Sequence, residues 1–303
     1  MITITKADDP IVIPHITILE YGQPGVGKTS LAFTAERPFL LDFDGGAYRS
    51  EYRKDTVQVR AWEDIIGLTA DDLAPYATIV VDTVGRLLDA LSVYIVQQNP
   101  KMGRGTGALT LQGYGELKAA YAGWLKTLLS YGKDVVLIAH DKEEKDNDNM
   151  IVRPDIQGGS YGEVFKRTDG MAYMYRGVKG TILDFNPSDR WVGKNAGGIP
   201  SSAVPHFSTT PDFLAGIITQ IKTKLNAMGQ YDKTAKAQVE EWRQTFAGIS
   251  TSETLTASVA AASKLTGVVG AQVKALLSER AKALGLKWDG KGKQYVENNP
   301  KPA

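Results

Sequence analysis

Residues 22 to 29 combine glycine, lysine and threonine in a spacing suited to holding phosphate. The stretch Gly22-Gln23-Pro24-Gly25-Val26-Gly27-Lys28-Thr29 has the pattern G-x-x-x-x-G-K-[ST]. Glycines let the backbone wrap closely around phosphate oxygens, so that successive N–H groups and the start of a helix point toward them. The lysine is a point charge for β- and γ-phosphates, and the threonine hydroxyl is a ligand for Mg²⁺. The sequence predicts a nucleoside triphosphate site with Mg²⁺, formed by Gly22, Pro24, Gly25, Val26, Gly27, Lys28, Thr29 and Ser30.

The residues on either side of this phosphate loop match what the motif requires. Residues 16–21 are apolar and typical of a strand, and residues 30–35 are typical of a helix. Strand, glycine-rich turn and helix in this order distinguish a nucleotide site from an accidental glycine-rich turn. The sequence contains no Asn-Lys-x-Asp guanine-reading motif, which disfavours a GTPase, and no evident arginine-rich lid, which disfavours a small-molecule kinase.

Carboxylates follow two other apolar segments in positions that suit nucleotide chemistry. Asp82 comes directly after Ile79-Val80-Val81, and a carboxylate at such a strand end can hold Mg²⁺ through water beside Thr29. Asp42 and Asp44 close the strand-like segment after the phosphate loop. A carboxylate there can polarise the water that attacks the γ-phosphate, and Asp44 is the preferred base because it stands further beyond the strand end. The alternative is a turn in which these aspartates accept local hydrogen bonds.

His140 stands at the end of a further apolar segment, residues 134–140. A polar group there can touch the γ-phosphate and report hydrolysis, although a lone histidine is more often a satisfied polar residue. The segments 16–21, 39–43, 78–82 and 134–140 are continuously apolar, as buried parallel strands are, and helical patterns separate them. This alternation predicts a doubly wound α/β sheet with ligands at the carboxyl ends of its strands.

The character of the chain changes after His140. Residues 141–168 are polar, charged and glycine-bearing, and they are too many for an ordinary connector. Further strands are predicted at 170–176, 180–185 and 190–192. Helices are predicted at 211–228, 232–247, 252–264 and 268–284, with a break near Gly229-Gln230, a capping box at residues 250–253 and a frayed tail at 298–303. We therefore expect a core domain over residues 1–210 and a small helical module over residues 211–303.

Composition narrows the classes of protein that the chain can represent. It has 303 residues, of which 43% are hydrophobic and 23% charged, and it has no cysteine. Disulfides and thiolate metal sites are thereby excluded, and a reducing cytoplasm is compatible. The start of the chain lacks a signal-peptide pattern, and no apolar segment approaches the about 20 residues that span a bilayer. A net charge of +1 does not attract nucleic acid as a whole, so any binding must be local.

Two basic segments are candidates for such local contact. Residues 99–107 contain Lys101 and Arg104 among glycines. Residues 141–167 contain basic residues beside Gly158-Gly159 and Tyr161, a mixture that suits tracking and stacking of a single strand. Acidic residues in the second segment leave a solvated surface loop as the alternative. The basic residues singled out there are Lys142, Arg153, Lys166 and Arg167.

The motifs together resemble phage-encoded RecA-like ATPases of AAA type, a group that includes the Sak-group single-strand annealing proteins. The resemblance rests on the phosphate loop, the strand end Asp42-Phe43-Asp44, residues 79–84 and the strand that ends at His140, and it covers roughly residues 15–195. It implies a RecA-like P-loop NTPase core with a mainly parallel sheet that binds ATP and Mg²⁺. In such a core Lys28 would bind the phosphates, and Thr29 and Asp82 would bind the metal. It also implies that the two basic segments are DNA-binding loops.

Two positions depart from the RecA-like pattern. Asp44 stands where such proteins usually place a glutamate, and His140 stands where they place a glutamine that senses the γ-phosphate. Aspartate is one methylene shorter, so water would be positioned differently. Arg190 and Lys194 lie where a cation from a neighbouring subunit can complete the site, or else they are solvated residues at a strand edge.

The resemblance implies an ATP-dependent recombination or annealing protein that binds single-stranded DNA as a homo-oligomer, either filament or ring, in the cytoplasm of a bacterial host. A single-strand-binding protein is a further expected partner, and no membrane is expected. Two alternatives stay open. One is a RecA-like motor such as a helicase or packaging ATPase, and the other is a nucleotide-dependent switch with protein partners only.

Overall fold

Residues 12–146, 149–178 and 180–298 are described by a computed structural model. The strands in chain order are β1 (Thr17–Gly22), β2 (Pro38–Asp42), β3 (Thr56–Gln58), β4 (Thr78–Asp82), β5 (Asp134–Asp146), β6 (Asn149–Pro154), β7 (Gly170–Gly177), β8 (Gly180–Asp184), β9 (Lys194–Asn195), β10 (Ser202–Ala203), β11 (Leu286–Asp289) and β12 (Gln294–Glu297). The helices are α1 (Lys28–Ala32), α2 (Glu63–Ile66), α3 (Val84–Gln98), α4 (Leu111–Ser130), α5 (Gly158–Arg167), α6 (Phe213–Gly248), α7 (Ser252–Ala262) and α8 (Gly267–Ala283). None of the described helices is both long and apolar enough to cross a membrane.

A mainly parallel sheet forms the centre of the first compact unit, which covers residues 13–225. Its strand order is β10-β8-β7-β1-β5-β4-β2-β3, and all neighbours from β7 to β3 are parallel. Strands β8 and β10 add antiparallel pairs at one edge. The predicted fold class, an α/β core with a mainly parallel sheet and C-terminal helices, is confirmed.

Both faces of the sheet are covered, which explains why its central strands are continuously apolar. One face packs against α3 and α4 through buried residues such as Leu19, Val81 and Leu137. The other face packs against α1 and the first turns of α6 through residues such as Ile18 and Ile138. Strand β5 lies between β1 and β4, so the carboxyl ends of the phosphate-loop strand and of both acid-bearing strands share one edge.

The segment 141–168 is not the irregular loop that its composition suggests. Strand β5 runs on beyond the sheet and pairs antiparallel with β6, and α5 follows. The mixed charges pair across this hairpin, because Arg153 lies 3.6 Å from the Glu144 carboxylate and 3.1 Å from that of Asp146. Cross-strand pairs of opposite charge stabilise such a ribbon. The predicted strand at 190–192 is reduced to a single bridge between Trp191 and Val152.

Helix α6 is continuous over 36 residues, without the predicted break near Gly229-Gln230. Its early residues Leu214 and Ile221 belong to the core of the first unit, and Val239 and Phe246 belong to a separate cluster further along the chain. The two compact units divide between residues 225 and 226, inside this helix, whereas the sequence analysis places the boundary at residue 210. Packing of the first turns of α6 onto the sheet accounts for the later division.

The second unit has its own apolar cluster, which contains Leu255, Val273 and Tyr295 from α7, α8 and β12. Strands β11 and β12 form an antiparallel hairpin that the sequence analysis does not predict. The Thr251 side chain caps α7 by accepting a hydrogen bond from the Thr254 amide, one residue later than the predicted capping box. The predictions for the first residues of the chain and for a frayed tail from residue 299 onward lie outside the described residues.

Candidate nucleotide site

The phosphate loop joins β1 to α1 in a backbone conformation that needs glycine. Gly27 is the residue before α1 and has φ 103°, a value that residues with a side chain rarely adopt. Gly22 ends β1, and a Cβ atom there would lie 2.1 Å from the Met174 carbonyl oxygen on β7. This close approach leaves no room for any side chain. The glycines at both ends of the loop are therefore required by the fold as well as by the approach of a phosphate.

Lys28 is buried at the first position of α1 and is held against the loop. Its Nζ donates hydrogen bonds to the carbonyl oxygens of Gly22 at 2.7 Å and Gln23 at 2.9 Å. Burial lowers the pKa of Lys28, and the carboxylates of Glu20 and Asp82 oppose that shift. The ammonium group thus lies inside the curve of the loop, where phosphate oxygens would replace the carbonyl groups as its partners.

Thr29 and Asp82 meet at the edge of the sheet although 53 residues separate them. The Thr29 Oγ1 atom donates to Asp82 Oδ2 at 2.6 Å. Burial raises the pKa of Asp82 to about 6, with smaller contributions in the same direction from Asp42 and Asp44, while the Thr29 hydrogen bond opposes the shift. Mg²⁺ prefers oxygen ligands and is commonly bound through one or two carboxylates together with substrate phosphates. This hydroxyl–carboxylate pair fits that role.

Asp42 and Asp44 have different environments despite their closeness in sequence. Asp42 is 1% exposed and accepts hydrogen bonds from the amides of Gly46 at 3.2 Å and Ala47 at 3.0 Å. Asp44 is partly exposed, and its backbone amide donates to the Asp82 carbonyl at 3.1 Å. Asp42 therefore holds the turn after β2, and the Asp44 carboxylate is the one available to a ligand.

Asp44 is the centre of a polar cluster at the sheet edge. Its Oδ1 lies 3.9 Å from His140 Nε2 and 3.6 Å from Arg86 Nε. Burial and the charge of Lys28 lower the pKa of His140, so the imidazole is neutral at pH 7. Sequence reasoning missed Arg86, whose only signal is its place in the first turn of α3, four residues after Asp82.

Glu20 is a second residue that sequence reasoning missed. It lies on β1 two residues before the loop, is 1% exposed, and neither carboxyl oxygen has a hydrogen-bond partner in the described part of the chain. Burial raises the pKa of Glu20 well above its usual value, Asp82 adds to the shift, and Lys28 opposes it. The available signal is one acidic residue in an otherwise apolar strand.

The β7–β8 hairpin also contacts the phosphate loop. Arg176 Nη2 donates to the Gly25 carbonyl at 3.1 Å, and Thr181 Oγ1 donates to the Val26 carbonyl at 3.4 Å. Arg176 is exposed, so its guanidinium borders the solvent side of the loop. The sequence analysis did not single out either residue, because neither belongs to the phosphate-loop motif.

The two cations predicted to act on a neighbouring subunit have other contacts within the chain. Lys194 Nζ donates to the carbonyl oxygens of Phe165, at 3.3 Å, and Thr168, which ties β9 to the end of α5. Arg190 is exposed, and its carbonyl accepts from the Val152 amide at 2.7 Å. Their role between subunits stays a prediction.

A cleft of about 490 Å³ opens beside α1 on the side of Ser30 and Thr34. Its opposite wall is the segment 204–207 that follows β10. Phe207 in this wall stacks on Tyr52 with ring centroids 4.8 Å apart and an interplanar angle of 12°. The cleft reaches the phosphate loop at Val26 and Gly27, and both apolar and polar side chains line it. The sequence analysis gave no indication of it, since its wall comes from a distant segment.

The basic residues predicted to bind DNA fall into two groups. Three of them have acidic neighbours: Arg153 in the hairpin described above, Lys142 at 3.9 Å from Asp155, and Arg167 at 3.9 Å from Glu163. Lys101, Arg104 and Lys166 are exposed, and none has a side-chain ion pair within the described ranges. Lys101 lies in a short 3₁₀ helix, Pro100–Met102.

A phosphate loop at a helix start, a threonine–aspartate pair and a mainly parallel sheet define a P-loop nucleoside triphosphatase core. The AAA domain family matches residues 15–196, and the protein belongs to that family. The P-loop ATPase class predicted from the sequence is thereby supported. The narrower Sak-group assignment stays a prediction.

Two solved structures are similar to part of this chain. A KaiC-like protein from the hyperthermophilic archaeon Pyrococcus horikoshii OT3 is 12% identical with a TM-score of 0.33, over 55% of this chain and 76% of that one. The RadB recombinase is 13% identical with a TM-score of 0.33, over 55% of this chain and 79% of that one. No curated protein has a significant sequence match.

Proposed function

We propose that this protein is an ATP-dependent recombination or annealing protein that binds single-stranded DNA as an oligomer. The observation that carries the nucleotide part is the convergence of Lys28, the Thr29–Asp82 pair and Asp44 on one edge of the sheet. The DNA part is supported by the exposed Lys101 and Arg104 and by the resemblance of the motif set to RecA-like annealing proteins.

Each residue of the site has a role that follows from its position. Lys28 exchanges its two loop carbonyl groups for phosphate oxygens, and Thr29 and Asp82 are the ligands that would hold Mg²⁺. A bound Mg²⁺ neutralises charge on the phosphates. Asp44 accepts a proton from the attacking water, and Arg86 and His140 beside it orient its carboxylate. Neutral His140 can donate a hydrogen bond toward the γ-phosphate position without repelling Lys28.

The nucleoside part of ATP fits the cleft beside α1. Val26 and Gly27 of the loop and the ring of Phe207 line the same cleft, so a nucleotide whose phosphates lie on the loop can extend its base toward that aromatic wall. Aromatic and apolar walls with a few polar groups are typical of small-ligand sites. Ser30, Thr34, Arg49 and Glu51 are among the polar residues that line this space.

Assembly couples nucleotide to DNA in this proposal. Of the residues predicted to bind DNA, each protomer offers three exposed cations without an ion pair in the described ranges, Lys101, Arg104 and Lys166, so their own attraction to DNA would be weak. Contacts repeated along an oligomer act together, and avidity then exceeds the affinity of any single site. ATP binding would hold subunits in a DNA-binding arrangement, and hydrolysis would release it. Arg190 and Lys194 are the groups proposed to reach a neighbouring site.

The proposal is tested by ATPase rates with and without single-stranded DNA, with electron microscopy of the same samples. We expect DNA to stimulate hydrolysis and ATP to promote filaments or rings, and we expect Lys28→Ala to remove turnover while the protein stays folded. Directional strand displacement would favour a motor instead. ATPase activity that is indifferent to DNA would favour a switch with protein partners. Normal turnover in a folded Lys28→Ala variant would reject the assignment of the loop.

A further inference from the structure

The second compact unit has the element order of a winged helix-turn-helix. Helix α7 packs against α8, and the β11–β12 hairpin follows α8 and packs against both helices. Four residues, 263–266, join the two helices. A turn of this length between two helices, often with a glycine, is a feature of the helix-turn-helix motif, whose second helix enters the major groove of DNA. The hairpin is in the position of the wing.

Close packing of the turn against α8 supports this comparison. Gly267 begins α8 with φ 62°, and a Cβ atom on Gly270 would lie 2.3 Å from the Leu265 carbonyl oxygen. The turn and the first part of α8 can approach so closely only because these two positions are glycine. Arg280 donates to the Ile249 carbonyl at 2.8 Å and thereby fixes α8 to the end of α6.

Unpaired positive charge lies on the surface that such a motif uses. Buried residues Val269, Val273, Leu277 and Ala281 form the inner face of α8. On the outer side, Lys274 and Lys282 are exposed, and Ala275, Ser278 and the one acidic residue of the helix, Glu279, are exposed between them. In the hairpin, Lys287, Lys291 and Lys293 are exposed. None of these five ammonium groups forms a hydrogen bond or ion pair with another residue in the described ranges.

The charge of this segment is opposite to that of the rest of the chain. Residues 264–293 contain seven basic and two acidic residues, which gives a net charge of +5. The whole chain has +1, so the remainder has −4. The turn at the hairpin tip is preformed, because Asp289 accepts hydrogen bonds from the amides of Lys291 and Gly292 at 3.0 Å each. Asp289 is thereby engaged by backbone groups, and the lysines beside it point to an anionic partner.

We propose that residues 226–298 are a winged helix-turn-helix module that binds duplex DNA, with α8 in the major groove and the Lys291–Lys293 tip on the phosphate backbone. This binding is separate from the ATP-dependent single-strand binding proposed for the core. Duplex DNA fits better than a single strand, since the major groove admits an α-helix and α8 carries exposed lysines. Trp288 is 43% exposed in the hairpin, and a single aromatic ring cannot stack on several successive bases of a strand.

The test uses the full-length protein without nucleotide and a fluorescent duplex of about two helical turns, with a single strand of equal length beside it. Binding is measured by anisotropy over a range of salt concentrations. Two variants remove charge from the module: Lys291→Ala/Lys293→Ala in the hairpin and Lys274→Ala/Lys282→Ala on α8. The matched control, Lys126→Ala/Lys224→Ala, removes two exposed lysines from the first unit.

We expect each module variant to lose duplex affinity by roughly tenfold or more and to lower the salt slope by about 0.9 for each phosphate that is no longer neutralised. The control should bind as the parent does. Lys291→Arg/Lys293→Arg keeps the charge and should bind as the parent does, which distinguishes loss of charge from loss of fold. Thermal unfolding shows whether the alanine variants are folded.

Three results would overturn the proposal. They are no duplex binding by the parent protein, module variants that match the control, and equal losses on duplex and single strand. Because nucleotide is absent, none of these results depends on whether the core hydrolyses ATP.

Discussion

Asp42 and Asp44 show at the residue scale how two carboxylates in nearly the same place in the chain acquire different roles. The first is enclosed and accepts two backbone amides, and the second is partly exposed beside Arg86 and His140. A buried carboxylate that holds a turn contributes to stability, whereas an accessible one can take part in proton transfer.

We therefore expect Asp44→Asn to bind Mg·ATP and to lose hydrolysis by about 10²–10⁴-fold, because the amide keeps the shape but accepts no proton. Asp42→Asn should instead lower the free energy of unfolding by roughly 1–3 kcal/mol, because an amide NH₂ group would face a backbone N–H. Steady-state ATPase rates and urea unfolding of both variants test this pair. A stable, inactive Asp42→Asn with an active Asp44→Asn would reverse the assignment.

Glu20 gives a prediction about pH. Its folded pKa is raised by burial, so folding keeps the carboxyl protonated while the unfolded chain ionises above about 4.5. Below about pH 4.5, burial of this carboxyl group therefore costs the folded state nothing. Above that pH, the free energy of unfolding falls by about 1.4 kcal/mol for each pH unit, until the folded pKa is reached. Glu20→Gln should be more stable than the parent at pH 7, with a gain that shrinks toward pH 4.

Unfolding in urea at several pH values measures this difference, and Glu36→Gln, which changes an exposed carboxylate, is the matched control. The control should show little pH-dependent gain. If Glu20→Gln is less stable than the parent at pH 7, the carboxylate is ionised in the folded state and its attraction to Lys28 exceeds the cost of burial.

At the scale of elements, the nucleotide cleft is made by segments that are distant in the chain. The face of α1 comes from the phosphate-loop motif, whereas the opposite wall comes from residues 204–207 after the last strand of the sheet. Phe207 is held in this wall by its stack on Tyr52. In the proposed function, the base of the nucleotide reaches this wall and the loop contacts the phosphates.

Phe207→Ala should weaken ATP binding by about tenfold, since stacking of a base on an aromatic side chain is worth roughly 1–3 kcal/mol. Binding of inorganic tripolyphosphate should not change, because it occupies only the loop. Phe207→Tyr keeps the ring and should keep ATP affinity. Tyr94→Ala, which removes an aromatic ring from the wall of a separate cavity beside α3 and α4, is the control. Titration calorimetry with both ligands distinguishes a base contact from general loss of fold, which would weaken both.

At the scale of the whole molecule, a net charge of +1 conceals an uneven distribution. Among the basic residues of the first unit that are predicted to bind DNA, three lie beside carboxylates, whereas Lys101, Arg104 and Lys166 are exposed without an ion pair in the described ranges. In the proposed function, affinity for a single strand depends on Lys101, Arg104 and Lys166, repeated through an assembly.

Lys101→Ala/Arg104→Ala should weaken single-strand affinity in the presence of ATP and lower the salt slope by about 0.7 for each phosphate that these side chains no longer neutralise. ATP binding by the protomer should persist, because neither residue lies in the phosphate loop. Anisotropy titrations at several salt concentrations, with assembly checked by electron microscopy, provide the measurement. Affinity and slope equal to those of the parent, with assembly intact, would remove this segment from the DNA path.

The phosphate loop, the magnesium carboxylate and the central strands could be predicted from the sequence. Each depends on local pattern: glycine spacing fixes a turn, and unbroken apolar runs that end at Asp82 and His140 fix buried strands and the edge they share. The hairpin 141–154 could not be predicted in this way. Its alternating charges resemble a solvated loop until the pairing of Arg153 with Glu144 and Asp146 is known.

Only the tertiary structure decided which aspartate is accessible, that Arg86 stands beside it, and that Glu20 is buried without a hydrogen-bond partner among the described residues. It also decided that Phe207 lines the cleft and that the last two strands form a hairpin beside α8. These features depend on strand register and on contacts between segments far apart in the chain. Residue type and spacing determined what chemistry each side chain can do, and the packing of distant elements determined which side chains are placed to do it.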